Sequence, residues 1–255
     1  MNIVVLQTDI CWADIEANLA KLDRMVDDTP AEAELIVLPE MFSTGFCMDA
    51  ERVALPNGGE VLSWMRRKAI ARSCAITGTV AVSDAGCYFN RMYFVFPDGT
   101  YRTYDKRHLF TFGGEDKVYT CGTERVVVEY KEFRFLLQVC YDLRFPVWSR
   151  CQGDYDAIIY VANWPGGRRD VWDTLLKARA LENQCYVIGS NRVGNDDTGV
   201  YDGGSIIIGP YGKTIARCED DVEGMAVGKI VRAVQDNFRL RFPALADADK
   251  FDVIV

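Results

Sequence analysis

The segment Phe133-Arg134-Phe135-Leu136-Leu137-Gln138-Val139-Cys140-Tyr141-Asp142-Leu143-Arg144-Phe145-Pro146 constrains the fold more than any other stretch of the chain. Its near-continuous apolar run, rich in aromatics and valine, is the pattern of a strand covered on both faces, since a half-exposed strand would alternate. In open α/β sheets, ligands bind beyond the carboxyl ends of such strands. The run ends at Cys140, and polar residues follow at once. Pro146 suits the first turn of a helix starting near Val147, because its missing N–H costs nothing there. Cys140 therefore falls at a strand-to-helix elbow, where free backbone N–H groups can meet a thiolate. Free cysteine is also a common core residue, so position alone leaves packing and chemistry both open.

The remaining elements fit the same class. Asn2–Thr8 reads as a first buried strand. Asp14 is an N-cap for a helix with Ile15, Leu19, Leu22 and Val26 on one stripe. Glu34–Leu38 is a second strand, ending in Pro39-Glu40, and Met41–Met48 reads as loop. Gly58–Ala71 has helical spacing and Ala75–Ser83 is again a strand. Asp84-Ala85-Gly86 turns the chain back into Tyr88–Phe96, and Pro97-Asp98-Gly99 leads to Tyr101–Asp105, closed by Lys106. Arg107–Gly122 shows no clean period and reads as loop. Strands follow at Arg125–Tyr130, the Cys140 run, Asp156–Ala162 and Tyr186–Val193, with a helix at Asp170–Gln184 and a turn-rich loop at Gly194–Gly199. Short strands at Ser205–Gly209, Thr214–Cys218 and Met225–Val231 precede a tail with one short helix. Helices alternating with buried strands, with hairpins mixed in, predict a mixed sheet or two stacked sheets with helices outside.

Composition narrows the function. Almost half of the 255 residues are apolar, enough for a sizeable core, and no linker divides the chain, so one domain over 1–255 is expected. The formal charge of −8 argues against a nucleic-acid surface and against adhesion to anionic membrane. The start lacks a basic signal region and no apolar run approaches spanning length, so cytoplasm is the expected location. Nine cysteines occur without any C-x-x-C pair, and one histidine, His108, accompanies them; a structural zinc site is not expected. In such a chain most cysteines serve as small core hydrophobes.

Three ionisable residues each stand directly after an apolar strand: Glu40, Lys106 and Cys140. Singly, Glu40 could be a helix-start acid and Lys106 a solvated loop lysine. Gathered at the strand ends of one sheet, they would be a proton acceptor, an electrostatic stabiliser and a nucleophile. A Ser-His-Asp triad or a Cys–His pair would have to recruit His108. Gly203-Gly204-Ser205-Ile206-Ile207 departs from G-x-S-x-G, and neither G-x-G-x-x-G nor a Walker loop is present.

Leu38-Pro39-Glu40-Met41-Phe42, Asp105-Lys106-Arg107-His108-Leu109-Phe110 and Val139–Pro146 resemble, in order and spacing, the three signature segments of the nitrilase, or carbon–nitrogen hydrolase, superfamily. The resemblance implies an α/β fold, a four-layer α-β-β-α sandwich of two mixed sheets with helices outside. It implies a Glu-Lys-Cys triad at Glu40, Lys106 and Cys140, and a second glutamate at Glu115 within Phe112-Gly113-Gly114-Glu115. Asn163-Trp164-Pro165 and Ala178–Gln184 resemble the omega-amidase branch. Relatives that cleave N-carbamoyl amino acids carry arginine three residues after the nucleophile, where this chain has Leu143; Arg144 follows.

The expected reaction is hydrolysis of a small carboxylate-bearing amide through a Cys140 thioester, with Glu40 as base and with Lys106 and the Tyr141 N–H holding the oxyanion. Glu115 is expected to orient Lys106 or the substrate amide. No metal or organic cofactor is called for; the partners are the amide and water. A carboxylate needs a cation, and Arg168 and Arg169, close after Asn163-Trp164, are the candidates, with solvated surface arginines the plain reading. Phe42, Tyr119 and Trp164 are candidate walls or plain core. The resemblance also implies a homodimer, joined by the helices starting near Val147 and Asp170. Carbamoyl or nitrile hydrolysis on the same scaffold, and a thiol redox or binding protein without turnover, are the competing readings.

Overall fold

The computed structural model describes residues 1–254. Its strands are β1 (Asn2–Gln7), β2 (Leu35–Val37), β3 (Leu55–Pro56), β4 (Ala75–Asp84), β5 (Cys87–Val95), β6 (Tyr101–Asp105), β7 (Val127–Tyr130), β8 (Phe133–Val139), β9 (Ala157–Ala162), β10 (Tyr186–Asn191), β11 (Val193–Asp196), β12 (Gly199–Asp202), β13 (Ile206–Ile208), β14 (Thr214–Arg217) and β15 (Gly224–Lys229). The helices are α1 (Ile15–Asp27), α2 (Ala50–Val53), α3 (Gly59–Arg72), α4 (Pro146–Ser149), α5 (Arg169–Glu182) and α6 (Arg232–Arg241). One mixed sheet runs β15-β1-β2-β4-β5-β6, with β3 beside β4; the second runs β14-β13-β10-β9-β8-β7.

Alternation within the buried strands builds four layers. On β1, Ile3 and Val5 face the second sheet, where they share a core with Phe135, Leu137, Val139, Ile159 and Val161. Val4 and Leu6 point the other way, onto Leu22 and Val26 of α1 and Val61 and Met65 of α3. On the far side, Leu136, Ile158 and Tyr160 meet Trp172, Leu176 and Ala180 of α5. Both faces of each sheet are therefore apolar, which is why the strands read as continuous runs rather than period two. Burying each such side chain fully stabilises by ~1.5–3 kcal/mol relative to leaving it exposed. Among the described residues no helix is long and apolar enough to cross a membrane.

Local chemistry sets the connections. Asp14 caps α1, its Oδ1 accepting the Ala17 N–H at 3.0 Å. The β4–β5 hairpin pairs Asp84 with Cys87 across a two-residue turn, Ala85-Gly86, both at positive φ as the right-handed strand twist favours. Some segments differ from the reading of the sequence. The helix after Pro146 is a single turn, and a 3-10 turn over Cys140–Arg144 intervenes between it and β8. Gly194–Gly199 is not an open loop: β11 and β12 pair there, with Asp196 Oδ1 accepting the Thr198 N–H and hydroxyl at 2.8 and 2.6 Å. Arg107–Gly122 contains two 3-10 turns, Thr111–Gly113 and Glu115–Lys117.

Candidate active site

The strand directions bring the three charged strand-end residues to one place. β2 runs parallel to β4, and β5 reverses the chain between β4 and β6, so Glu40 and Lys106 both leave the carboxyl ends of like-directed strands in the first sheet. Cys140 leaves the carboxyl end of β8, and Asn163 follows the adjacent parallel β9 in the second sheet. The site therefore draws on two stacked sheets, where the sequence suggested the edge of one. Cys140 and Met41, the residue after Glu40, have φ of 44° and 43°. For a residue with a Cβ that region costs ~1–2 kcal/mol, a local strain the surrounding packing has to hold.

Lys106 is buried, and its Nζ donates to Glu40 Oε1 at 2.9 Å and to Glu115 Oε1 and Oε2 at 3.1 and 2.9 Å. Its ammonium also lies 5.1 Å from the centre of the Phe46 ring. Gly122 fixes where the lysine leaves its strand: its N–H donates to the Lys106 carbonyl at 2.9 Å, and a Cβ there would lie 2.1 Å from the Asp105 carbonyl oxygen. Glu40 accepts Asn90 Nδ2 at 2.8 Å on Oε1 and the Asn163 N–H at 2.8 Å on Oε2, while the Asn163 amide donates to the Glu40 carbonyl. Glu115 accepts the Phe110 N–H at 2.6 Å and Asn90 Nδ2 at 3.2 Å. Asn90, in the middle of β5, thus ties the two carboxylates together; its only mark in the sequence is a lone amide in a largely apolar strand, beside Arg91.

The cluster is two carboxylates around one ammonium, with net charge −1. Burial alone would favour neutral Lys106, but Glu115 and Glu40 together hold it firmly protonated. Glu115 is pushed up by burial and by Glu40, against the pull of Lys106. Burial pushes the Cys140 thiol well above its ordinary value, and the Glu40 charge adds to this against the opposing effect of Lys106. The resting thiol is therefore held protonated, and any attack by its sulfur would need a base to take the proton. Among the described residues no group of three or more His, Cys, Asp and Glu side chains is arranged to hold a metal ion. The place between Glu40 and Glu115 is filled by the ammonium.

A cavity of about 260 Å³ opens on Cys140, lined by Glu40, Phe46, Lys106, Tyr141, Asn163 and Trp164, and also by Arg144, Arg168, Thr198 and Tyr201. That is below the usual size of drug-binding pockets and suits a small molecule. The Arg144 guanidinium lies 5.1 Å from the Trp164 ring and that of Arg168 5.5 Å from Phe110; among the described residues neither has an ion-pair partner. Trp164 is fixed by Asn191, whose amide accepts its N–H at 2.7 Å and donates to its carbonyl at 2.9 Å.

Three residues expected at the substrate lie elsewhere. Arg169 turns away from the cavity and binds Asp173, Asp202 and Asp220. It opens α5, whereas Arg168, the residue just before the helix, lines the cavity. Phe42 is core, 6.0 Å from Trp64 of α3 and against Gly78, where a Cβ would come within 2.8 Å of its ring. Tyr119 is buried behind the cluster, its hydroxyl donating to the Cys47 carbonyl at 2.8 Å. Arg144, Phe46, Thr198 and Tyr201 also line the cavity; of these the sequence singles out only Arg144, as the arginine next to Leu143. His108 is engaged by Asp142 rather than by Cys140.

The family described as carbon-nitrogen hydrolase matches residues 2–239. A protein of Yersinia enterocolitica named omega-amidase YafV is 46% identical over 252 residues, 98% of both chains. A 2-oxoglutaramate amidase of Bacillus subtilis is 33% identical, covering 92% of this chain and 90% of its own. The crystal structure of XC1258 from Xanthomonas campestris, described as a CN-hydrolase superfamily protein with an arsenic adduct in the active site, superposes with a TM-score of 0.96 at 38% identity, covering 99% and 98% of the two chains.

Proposed function

The chain belongs to the carbon–nitrogen hydrolase family, and from that premise we propose that it is an omega-amidase, hydrolysing small amides with a distal carboxylate, such as 2-oxoglutaramate or 2-oxosuccinamate, to the acid and ammonia. The observation that carries this reading is a cavity of about 260 Å³ that Cys140, Glu40 and Lys106 share with two guanidinium groups, Arg144 and Arg168, neither of which has an ion-pair partner among the described residues. An amide carbonyl over Cys140 and a carboxylate at the arginines would fill it.

Each step follows from the site. Cys140 Sγ attacks the amide carbon while its proton passes to Glu40, which the raised thiol requires. The oxyanion meets the positive charge of Lys106 and the Tyr141 N–H, which stands in the first turn of the 3-10 segment and has no intrahelical partner. Because the Lys106 N–H groups already serve Glu40 and Glu115, its part is charge, and the Tyr141 N–H supplies the direct hydrogen bond. As the C–N bond breaks, Glu40 gives its proton to the departing nitrogen, leaving ammonia and a thioester. Glu40 then takes a proton from water, whose oxygen attacks the thioester carbon; as the C–S bond breaks, Glu40 returns that proton to Cys140 Sγ, releasing the acid and restoring the thiol. Glu115 holds Lys106 through both half-reactions.

The arsenic adduct described in the active site of the Xanthomonas protein supports a reactive thiol in sites of this kind, since arsenic is thiophilic. The presence of Glu40 and Lys106 at the Cys140 cavity speaks against a redox or binding thiol, which needs no general base placed for ammonia departure. Leu143 in place of the carbamoylase arginine favours amides over N-carbamoyl amino acids. The common interior of the two sheets supports one catalytic domain, and a working thiol calls for a reducing compartment such as the cytoplasm. We further propose a homodimer joined across α4 and α5, on whose outer surfaces Val147 and Leu181 are exposed; light scattering decides its mass. Ammonia release from a panel of omega-amides, N-carbamoyl amino acids and nitriles tests the activity. A preference for either of the latter two would overturn the branch assignment and leave the thiol chemistry standing.

A further inference from the structure

Lys106 and Cys140 stand on different sheets, and their separation has to be fixed by something other than strand pairing. We propose that the buried Asp142 carboxylate and its hydrogen bond from the His108 ring form a positioning device that holds the Lys106 turn against the Cys140 turn. The inference rests on reading Lys106 and Cys140 as catalytic.

Asp142 is fully buried and accepts four hydrogen bonds. Oδ1 takes the His108 N–H at 2.9 Å and His108 Nδ1 at 2.7 Å. Oδ2 takes the Tyr104 hydroxyl at 2.7 Å and the Val139 N–H at 2.9 Å. Tyr104 and His108 stand two residues to either side of Lys106, while Val139 and Asp142 bracket Cys140. One carboxylate thus clamps the two chain segments, each gripped on both sides of its reactive residue. The Tyr104 hydroxyl is itself set by Trp148 Nε1, which donates at 3.1 Å, and by the Arg107 N–H at 3.3 Å. The His108 ring lies flat on Phe145, centroids 3.9 Å apart and planes 8° from parallel. A carboxylate only accepts, so Nδ1 carries the proton in this contact. Neither Asp142 nor His108 lines the cavity, so their effect passes through the two turns.

The His108 hydrogen bond and the ring stack are separable. His108→Phe keeps an aromatic ring on Phe145 and removes the donor; His108→Asn removes the ring and returns an amide N–H near the place of Nδ1. Displacing a reacting group by about 1 Å costs on the order of 10²-fold in rate. The Phe variant should therefore lose on the order of 10²-fold in kcat with KM little changed, and the Asn variant should recover most of that loss. Tyr104→Phe, which removes the donor on the other side of Lys106, should lower kcat in the same sense and serves if the His108 variants do not fold. Alkylation of Cys140 by iodoacetamide, followed at the peptide level, gives a readout independent of substrate. With Lys106 displaced the thiol becomes less acidic, so His108→Phe should react more slowly than wild type at fixed pH, and His108→Asn should not. Wild-type kcat in His108→Phe, or equal losses in the Phe and Asn variants, would overturn the inference. If wild type releases no ammonia from omega-amides, the functional reading fails, and the alkylation rates alone judge the clamp.

Discussion

Replacing Glu40 by glutamine separates two effects of one carboxylate on Cys140. Its polar neighbours are donors: Lys106 Nζ at 2.9 Å and Asn90 Nδ2 at 2.8 Å on Oε1, and the Asn163 N–H at 2.8 Å on Oε2. Glutamine has the same shape but one oxygen, so its NH₂ must face another N–H. An unsatisfied buried group costs ~1–3 kcal/mol. At roughly 2–4 °C per kcal/mol for a chain of 150–250 residues, and somewhat less here, Tm should fall by a few degrees. The charge effect has the opposite sign at the thiol. Burial, then the Glu40 charge, keeps Cys140 protonated. Turning the cluster of Glu40, Glu115 and Lys106 from −1 to 0 must therefore make the thiol more acidic. Turnover should nevertheless fall by about 10²–10⁴, because no group is left to take and return the proton. The assay pairs ammonia release with iodoacetamide alkylation of Cys140 against pH, read on the Cys140 peptide because eight other cysteines are present. The expected variant alkylates at lower pH than wild type and barely turns over. An unchanged or upward-shifted alkylation midpoint, or ammonia release within a few-fold of wild type, would refute the assignment of Glu40 as base.

Arg144→Ala and Arg168→Ala should each weaken kcat/KM for a carboxylate-bearing amide, by as much as about 2–5 kcal/mol at the arginine that makes a desolvated charge pair, and should spare an uncharged amide of equal length. Arg169→Ala should leave that ratio unchanged while lowering Tm, since its guanidinium serves Asp173, Asp202 and Asp220; a loss of carboxylate preference there would contradict the placement. Burial pushes Asp156 up, yet Arg134 and Arg232 prevail and hold its carboxyl below the ordinary value. A depressed folded-state pKa contributes stability that is fully present above the unfolded value near ~3.9 and is lost as pH falls through the folded one. Asp156→Asn should thus destabilise at neutral pH and flatten the acid side of the stability profile, measured by urea unfolding; an unchanged acid slope would assign that slope to other carboxylates.

Much of this architecture was legible because it is written in local patterns. Continuous apolar runs such as Phe133–Val139 and Ala157–Ala162 gave buried strands, and residues directly after such strands gave Glu40, Lys106 and Cys140. What was hidden depends on contacts between distant segments. Thr198 and Tyr201 reach the cavity on a hairpin whose strands are too short to show a period. Asn90 joins Glu40 to Glu115 from the middle of a strand, where an isolated amide gives no sign of its partners. Arg168 and Arg169 look equivalent in the sequence, although Asp173, four residues on in the same helix, favours a surface pairing for Arg169. Phe42 and Tyr119 show the same limit, since an aromatic beside a catalytic residue in sequence can face either the site or the core behind it.

The central claim is that Cys140 carries the acyl group between the amide and water. Wild-type protein mixed with a slow omega-amide, quenched in acid within the first turnovers and measured intact, should gain the mass of the acyl group, and the adduct should map to the Cys140 peptide. Cys140→Ala should show neither adduct nor ammonia while keeping its fold. An adduct on exposed Cys11, Cys87 or Cys121 instead, or ammonia release by the alanine variant, would contradict the account.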